Sequence, residues 1–179
     1  MVSAMEEVWE GVYRGRYQSC GIGVNAYLLV DGGEAALIDS GPVVGRVLSD
    51  AESALKSLGL SIEALKVLIH THHHLDHSGG SVELSQLSWL RIAYHSKELE
   101  YLRNLPEIYT KRAKRWNTFL KWSGVPRELA PKKPSYQAPD DDIVKALCRA
   151  ANTEIGDGYT FRIGSKTLRA IHTPGHTIG

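Results

Sequence analysis

Apolar residues along this chain follow two periods, and the change from one to the other marks its elements. From Val24 to Gly41, VNAYLLVDGGEAALIDSG holds two apolar runs, YLLV and AALI, around Asp31-Gly32-Gly33. That pattern predicts two strands joined as a hairpin. Over 43–58 the period lengthens: Val44, Val47, Leu48, Ala51, Leu55 and Leu58 recur at helical spacing, with Gly59 suited to the C-terminal cap. VLI (67–69) reads as a short buried strand. Val82, Leu84 and Leu87 predict a helix behind Gly79-Gly80. RIAYH (91–95) reads as a strand, with Ser96 as the cap of the next helix. Residues 97–150 read as largely helical, and 153–179 return to β-type alternation punctuated by glycine.

YLLV, AALI and VLI show no polar face, so the strands are expected to be covered on both sides. Strands alternating with helical stretches predict a layered α/β domain. A length of 179 residues suits one domain, 1–179, with the helical stretch at about 97–150 as an insertion. Hydrophobic residues make up 42% and charged residues 23%, a soluble composition. A net charge of +1 gives no electrostatic footprint for nucleic acid or an anionic membrane. MVSAMEEVWEG carries acids and no apolar run, which predicts no signal peptide, and no stretch has the length of a membrane span. Cys20 and Cys148 are too few and too distant for a disulfide framework or a thiolate zinc site. The expectation is a soluble cytoplasmic domain with no membrane partner.

The candidate chemistry sits in IHTHHHLDHSGG (69–80). Five of the eight histidines, His70, His72, His73, His74 and His77, fall there with Asp76 among them. A solvated turn is the plain account of a histidine-rich loop, but the spacing points to metal. At the end of a strand, His72 and His74 would project to the same side and chelate one divalent ion. Asp76 and His77 follow and can address a second position. Imidazoles with one carboxylate suit zinc, with iron and manganese as alternatives. Gly79 and Gly80 are expected to let the backbone turn tightly there.

Thr71-His72-His73-His74-Leu75-Asp76-His77-Ser78-Gly79-Gly80 resembles the T-H-x-H-x-D-H-x-G-G signature of the metallo-β-lactamase superfamily. LIDSG (37–41) resembles its strand-end motif, whose aspartate, here Asp39, braces the metal loop. TPGHT (173–177) resembles its later motif, whose histidine is here His176; Ile178 stands where many members have proline. The helical insertion with GVPRELA (124–130) resembles glyoxalase II-like hydrolases.

The resemblance implies an αββα sandwich and a zinc-dependent hydrolase, with a metal-bound hydroxide attacking an ester, thioester or similar bond of a small-molecule substrate. His72, His74 and His176 would hold the first metal. Asp76 and His77 would serve the second, with Asp76 also the catalytic residue that orients the nucleophile. Binuclear members have a bridging aspartate and a final histidine after TPGHT, and this sequence ends three residues after His176. The expectation is therefore one three-histidine site, a half-built second site and much of the C-terminal half of the sandwich missing. Self-association would then cover an exposed sheet face, and the monomer would be poorly stable.

The first alternative is a truncated member that binds metal with little catalysis. Others are a nucleic-acid-processing member, against which the charge argues, and a mononuclear-iron persulfide dioxygenase-like enzyme. Diiron relatives usually have glutamate where His74 stands.

The remaining candidates have plainer readings. His70 and His73 are expected to support the site, His95 to satisfy a strand-end hydrogen bond, and His172 to be structural. Cys20 reads as an incidental thiol. YTKRAKRWNTFLKW (109–122) could form a basic, aromatic lid over an anionic substrate. The reading preferred is an amphipathic helix with Trp116, Phe119 and Leu120 inward and Lys111, Arg112, Lys114, Arg115 and Lys121 solvated. Asp140, Asp141 and Asp142 read as a helix N-terminus.

Overall fold

The structure, a computed structural model, describes residues 5–19, 21–126, 128–129 and 140–179, with the backbone alone at Asn117. Cys20, and Arg127 and Ala130 of GVPRELA, lie outside the described residues.

Strands β1 (Glu6–Trp9), β2 (Val12–Ser19), β3 (Ile22–Asp31) and β4 (Glu34–Ile38) pair in antiparallel succession. β5 (Leu65–Ile69), β6 (Arg91–His95) and β7 (Thr153–Ile155) then add in parallel, completing a seven-stranded sheet in sequence order. The β3–β4 hairpin is the one the apolar runs predict. Gly32 and Gly33 both take positive φ, 57° and 80°, as a two-residue turn matching the strand twist requires. The pair β1–β2 had no signature in the apolar pattern, because β1 is exposed along its whole length. β2 is defined by its pairing with β3, from Val12 opposite Leu29 to Ser19 opposite Ile22.

Both faces of the central strands are covered, as their unbroken apolar runs require. Leu28, Leu37, Leu68, Ile92 and Tyr94 point to one side. There they meet helices α1 (Val47–Ser57), α2 (Leu75–Ser78), α3 (Ser81–Leu84), α4 (Ser96–Arg103), α5 (Leu105–Trp122) and α6 (Asp141–Ala150) through side chains such as Leu55, Leu84, Leu99 and Leu147. Leu29, Ala36, Val67 and Ala93 point to the other side. Phe161 and Ile163 cover them, from a two-stranded sheet of β8 (Thr160–Ile163) and β9 (Lys166–Arg169). The order of layers is helix, sheet, second sheet. Among the described residues no helix is long and apolar enough to cross a membrane.

Four local expectations are corrected. Helix α1 begins at Val47, so Val44 is outside it and exposed; Gly45 at φ 69° breaks the helical path. The first turn of α1 is capped from a distance: Glu83 accepts the N–H groups of Val47 (3.0 Å) and Leu48 (3.1 Å). His95, not Ser96, caps α4, its Nδ1 accepting from the Lys97 N–H at 3.3 Å. In α5 Phe119 is 56% exposed rather than inward, while Trp116 and Leu120 are half-buried. Gly79 and Gly80 are helical in φ and ψ and make no tight turn. They are needed for close approach, since a Cβ would lie 2.6 Å from the Val43 nitrogen at 79 and 2.7 Å from the Ser40 oxygen at 80.

Other expectations hold. Gly59 follows α1 at φ 75°, with its N–H on Lys56 O and that of Leu60 on Leu55 O, a glycine-terminated helix end. Asp140 caps α6 by accepting the Asp142 N–H at 2.8 Å.

Candidate metal centre

Parallel strands bring their C-terminal ends side by side, and the segments leaving them meet over that edge of the sheet. β4 runs into Asp39, β5 into residues 70–77, and β6 into α4, which carries Glu98. Asp39 N–H donates to Ile69 O and His70 N–H to Ala93 O, both at 2.9 Å, so the ladder continues past the strands into the site.

Strand β5 ends at Ile69, so His72 and His74 lie on the loop after it rather than on the strand. The imidazoles still converge. One ligand atom from each of His72, His74 and His176 lies within 4.8 Å of the others, and His176 Nε2 is 3.0 Å from His74 Nδ1. His176 reaches the cluster from the segment after β9. Burial, helped by the neighbouring His77 and His74, brings His72 down to about 4. Burial and then His73 also lower His74. Both are thus held neutral at pH 7, the form in which an imidazole nitrogen can ligate a metal. His72 Nε2 is buried without a hydrogen-bond partner. An unpartnered buried nitrogen is costly, and a metal ion shared with two further imidazoles accounts for it. The residues present therefore fit a metal.

Asp39 is the hub beneath the loop. It is 4% exposed and takes φ 59°, a left-handed conformation that aspartate tolerates better than most residues. Its carboxylate accepts the Thr71 N–H, the Thr71 hydroxyl and His77 Nδ1–H, each at 2.8 Å. Burial would raise its pKa, but the nearby His70 (Nδ1 at 3.7 Å) and His77, with Thr71, hold it well below the carboxylate range. The same Asp39 bond raises His77. His70 is buried against the Tyr94 ring (4.3 Å between centroids), and burial lowers its pKa.

Asp76 lies in the first turn of α2, half-buried, next to His77. Among the described residues, the one set of three or more metal-ligating side chains is His72, His74 and His176, which leaves Asp76 and His77 out. His95 stacks on His172 (4.5 Å, 10°), and His172 Nε2 lies 3.0 Å from Ile178 O.

The residue that sequence reading missed is Glu98. It is 1% exposed and hydrogen-bonded to the side chain and backbone N–H of His73. Burial opposes its charge, but hydrogen bonds from His73 and Thr177 bring it down to about 2. In the sequence it is one more acid in the first turn of a helix, so its spacing carried no signal. A small cavity of about 30 Å³ lies between His73, His74 and the apolar side chains of Leu102, Leu105, Val144 and Leu147.

The family model described as the metallo-beta-lactamase superfamily matches residues 21–179. The chain belongs to that superfamily.

Among curated relatives of this metallo-β-lactamase superfamily chain is an atrochrysone carboxyl ACP thioesterase from Aspergillus fumigatus. It is 29% identical over 155 residues, which are 87% of this chain and 25% of the relative. A hydroxyacylglutathione hydrolase from Acidiphilium cryptum is 25% identical over 154 residues, 86% of this chain and 41% of the relative. Among solved structures, a metallo-beta-lactamase family protein from Thermus thermophilus superposes with a TM-score of 0.65 at 26% identity, covering 97% of this chain and 55% of that one. A subclass B3 metallo-beta-lactamase of Bradyrhizobium japonicum, 17% identical with a TM-score of 0.61, shares the fold over 99% of this chain and 55% of its own. The chain thus spans about half the length of these solved structures, and less of the two curated relatives.

Proposed function

We propose that this chain carries the metal site of a zinc-dependent hydrolase acting on ester or thioester bonds. The three converging imidazoles of His72, His74 and His176, two of them held neutral, are the observation that supports this reading. When bound there, zinc would supply a Lewis acid that polarises an acyl carbonyl and makes water acidic enough to attack it. Asp39 orients His77 through Nδ1–H and leaves Nε2 as the nitrogen available to a second ion, beside Asp76. Asp76 is assigned the role of orienting the attacking water. The names of the thioesterase and the hydroxyacylglutathione hydrolase point the search toward thioesters.

Metal content, measured on protein purified without chelator or histidine tag, tests this reading, together with hydrolysis of a panel of thioesters. One zinc per chain that is lost in His176→Ala, with zinc-dependent turnover, supports it. Two metals per chain would mean that the Asp76–His77 position is also filled. Protein that takes up no zinc at all sinks the proposal.

A further inference from the structure

The three-histidine set joins two segments far apart in the chain, the loop 70–77 and the loop bearing His176. Glu98 touches both. Its Oε2 accepts the His73 backbone N–H at 2.9 Å and is hydrogen-bonded to His73 Nδ1. Its Oε1 accepts the Gly179 N–H at 2.6 Å. His73 stands between His72 and His74, and Gly179 is three residues beyond His176. Within the second loop, Gly175 N–H donates to Thr177 O at 2.8 Å, and His172 Nε2 lies 3.0 Å from Ile178 O. These bonds tie Gly179 to the turn that presents His176. The fit at Gly179 is close: a Cβ there would collide with the Glu98 side chain.

Glu98 is the third residue of α4, where a glutamate ordinarily reaches back to cap its own helix. Here the carboxylate is turned away to the two loops and is almost wholly buried. Burying a carboxylate is costly unless its oxygens are fully used, and both are. We infer that Glu98 is a positioning residue: one carboxylate clamps the His72–His74 loop to the His176 loop and so sets the spacing of the three imidazoles. It touches no ligand nitrogen and acts through His73, Thr177 and Gly179. The inference rests on the reading that these histidines hold a metal.

The test compares wild type, Glu98→Gln and Gly179→Ala for zinc affinity, by competition with a chromophoric chelator, and for melting of the metal-free protein. Both variants are expected to bind zinc about 10–100-fold more weakly. Gly179→Ala is expected to keep the wild-type melting temperature without metal, which separates lost positioning from lost folding. Gly179→Ala that binds zinc as tightly as wild type overturns the clamp, whatever Glu98→Gln does. A wild-type chain that binds no zinc overturns the three-histidine reading beneath it, a different and distinguishable failure.

Discussion

His77 donates its Nδ1–H to Asp39 across 2.8 Å, and Asp39 adopts a left-handed φ of 59° at the end of β4 as it receives it. One carboxylate thereby joins the segments after two neighbouring parallel strands, since it also accepts from Thr71. Removing it takes the acceptor from three donors, all of them in the 70–77 segment after β5. Asp39→Ala is expected to destabilise the metal-free chain by about 3 kcal/mol. Urea unfolding would measure this, and an unchanged midpoint would contradict the hub.

Acid should weaken the fold in a defined direction. Glu98 is held at about 2 against an ordinary value of 4.5. A depressed carboxyl contributes stability that is whole above about pH 4.5 and lost as the pH falls through about 2. Asp39, lowered further, acts in the same direction at still lower pH. The expected outcome is that metal-free wild type loses stability between pH 4.5 and 2, and that Glu98→Gln loses less over that interval. Equal pH slopes in denaturant unfolding would exclude the Glu98 contribution.

Leu68 is wholly buried in the core between the sheet and the helices. Leu68→Ala should cost about 2–5 kcal/mol, from lost transfer free energy and the cavity left behind. A loss below 1 kcal/mol in urea unfolding would mean that the face is not packed as described.

Phe119 offers the opposite control. Its ring is 56% exposed on α5, so Phe119→Ser is expected to change stability by no more than about 0.5 kcal/mol. A large loss would restore the inward placement that helical spacing alone favoured.

Much of the fold can be read from the local pattern. YLLV, AALI and VLI lack a polar face, and each proves to be covered by helices on one side and by Phe161 and Ile163 on the other. Asp31-Gly32-Gly33 marks its hairpin because two successive positive φ values are cheap for glycine. The metal motif is legible for a related reason: ligand chemistry restricts residue type, and His72 and His74 are close in sequence as well as in space.

What could not be read depends on partners distant in the chain. Helical spacing put Val44 in a helix, but a glycine at 45 and a carboxylate from Glu83, 36 positions from Val47, decide where α1 starts. Gly79 and Gly80 looked like a turn, and only the approach of Val43 and Ser40 shows why side chains are excluded there.

The sequence by itself determined the layered α/β character, the central strands and hairpin, and the family of the histidine motif, because periodicity and ligand chemistry act over a few residues. Tertiary structure alone decided the β1–β2 pairing and the burial of Glu98 between two loops, 81 positions from its far contact. Periodicity records that a face is buried, whereas the identity of what covers it is set by chain closure over long separations.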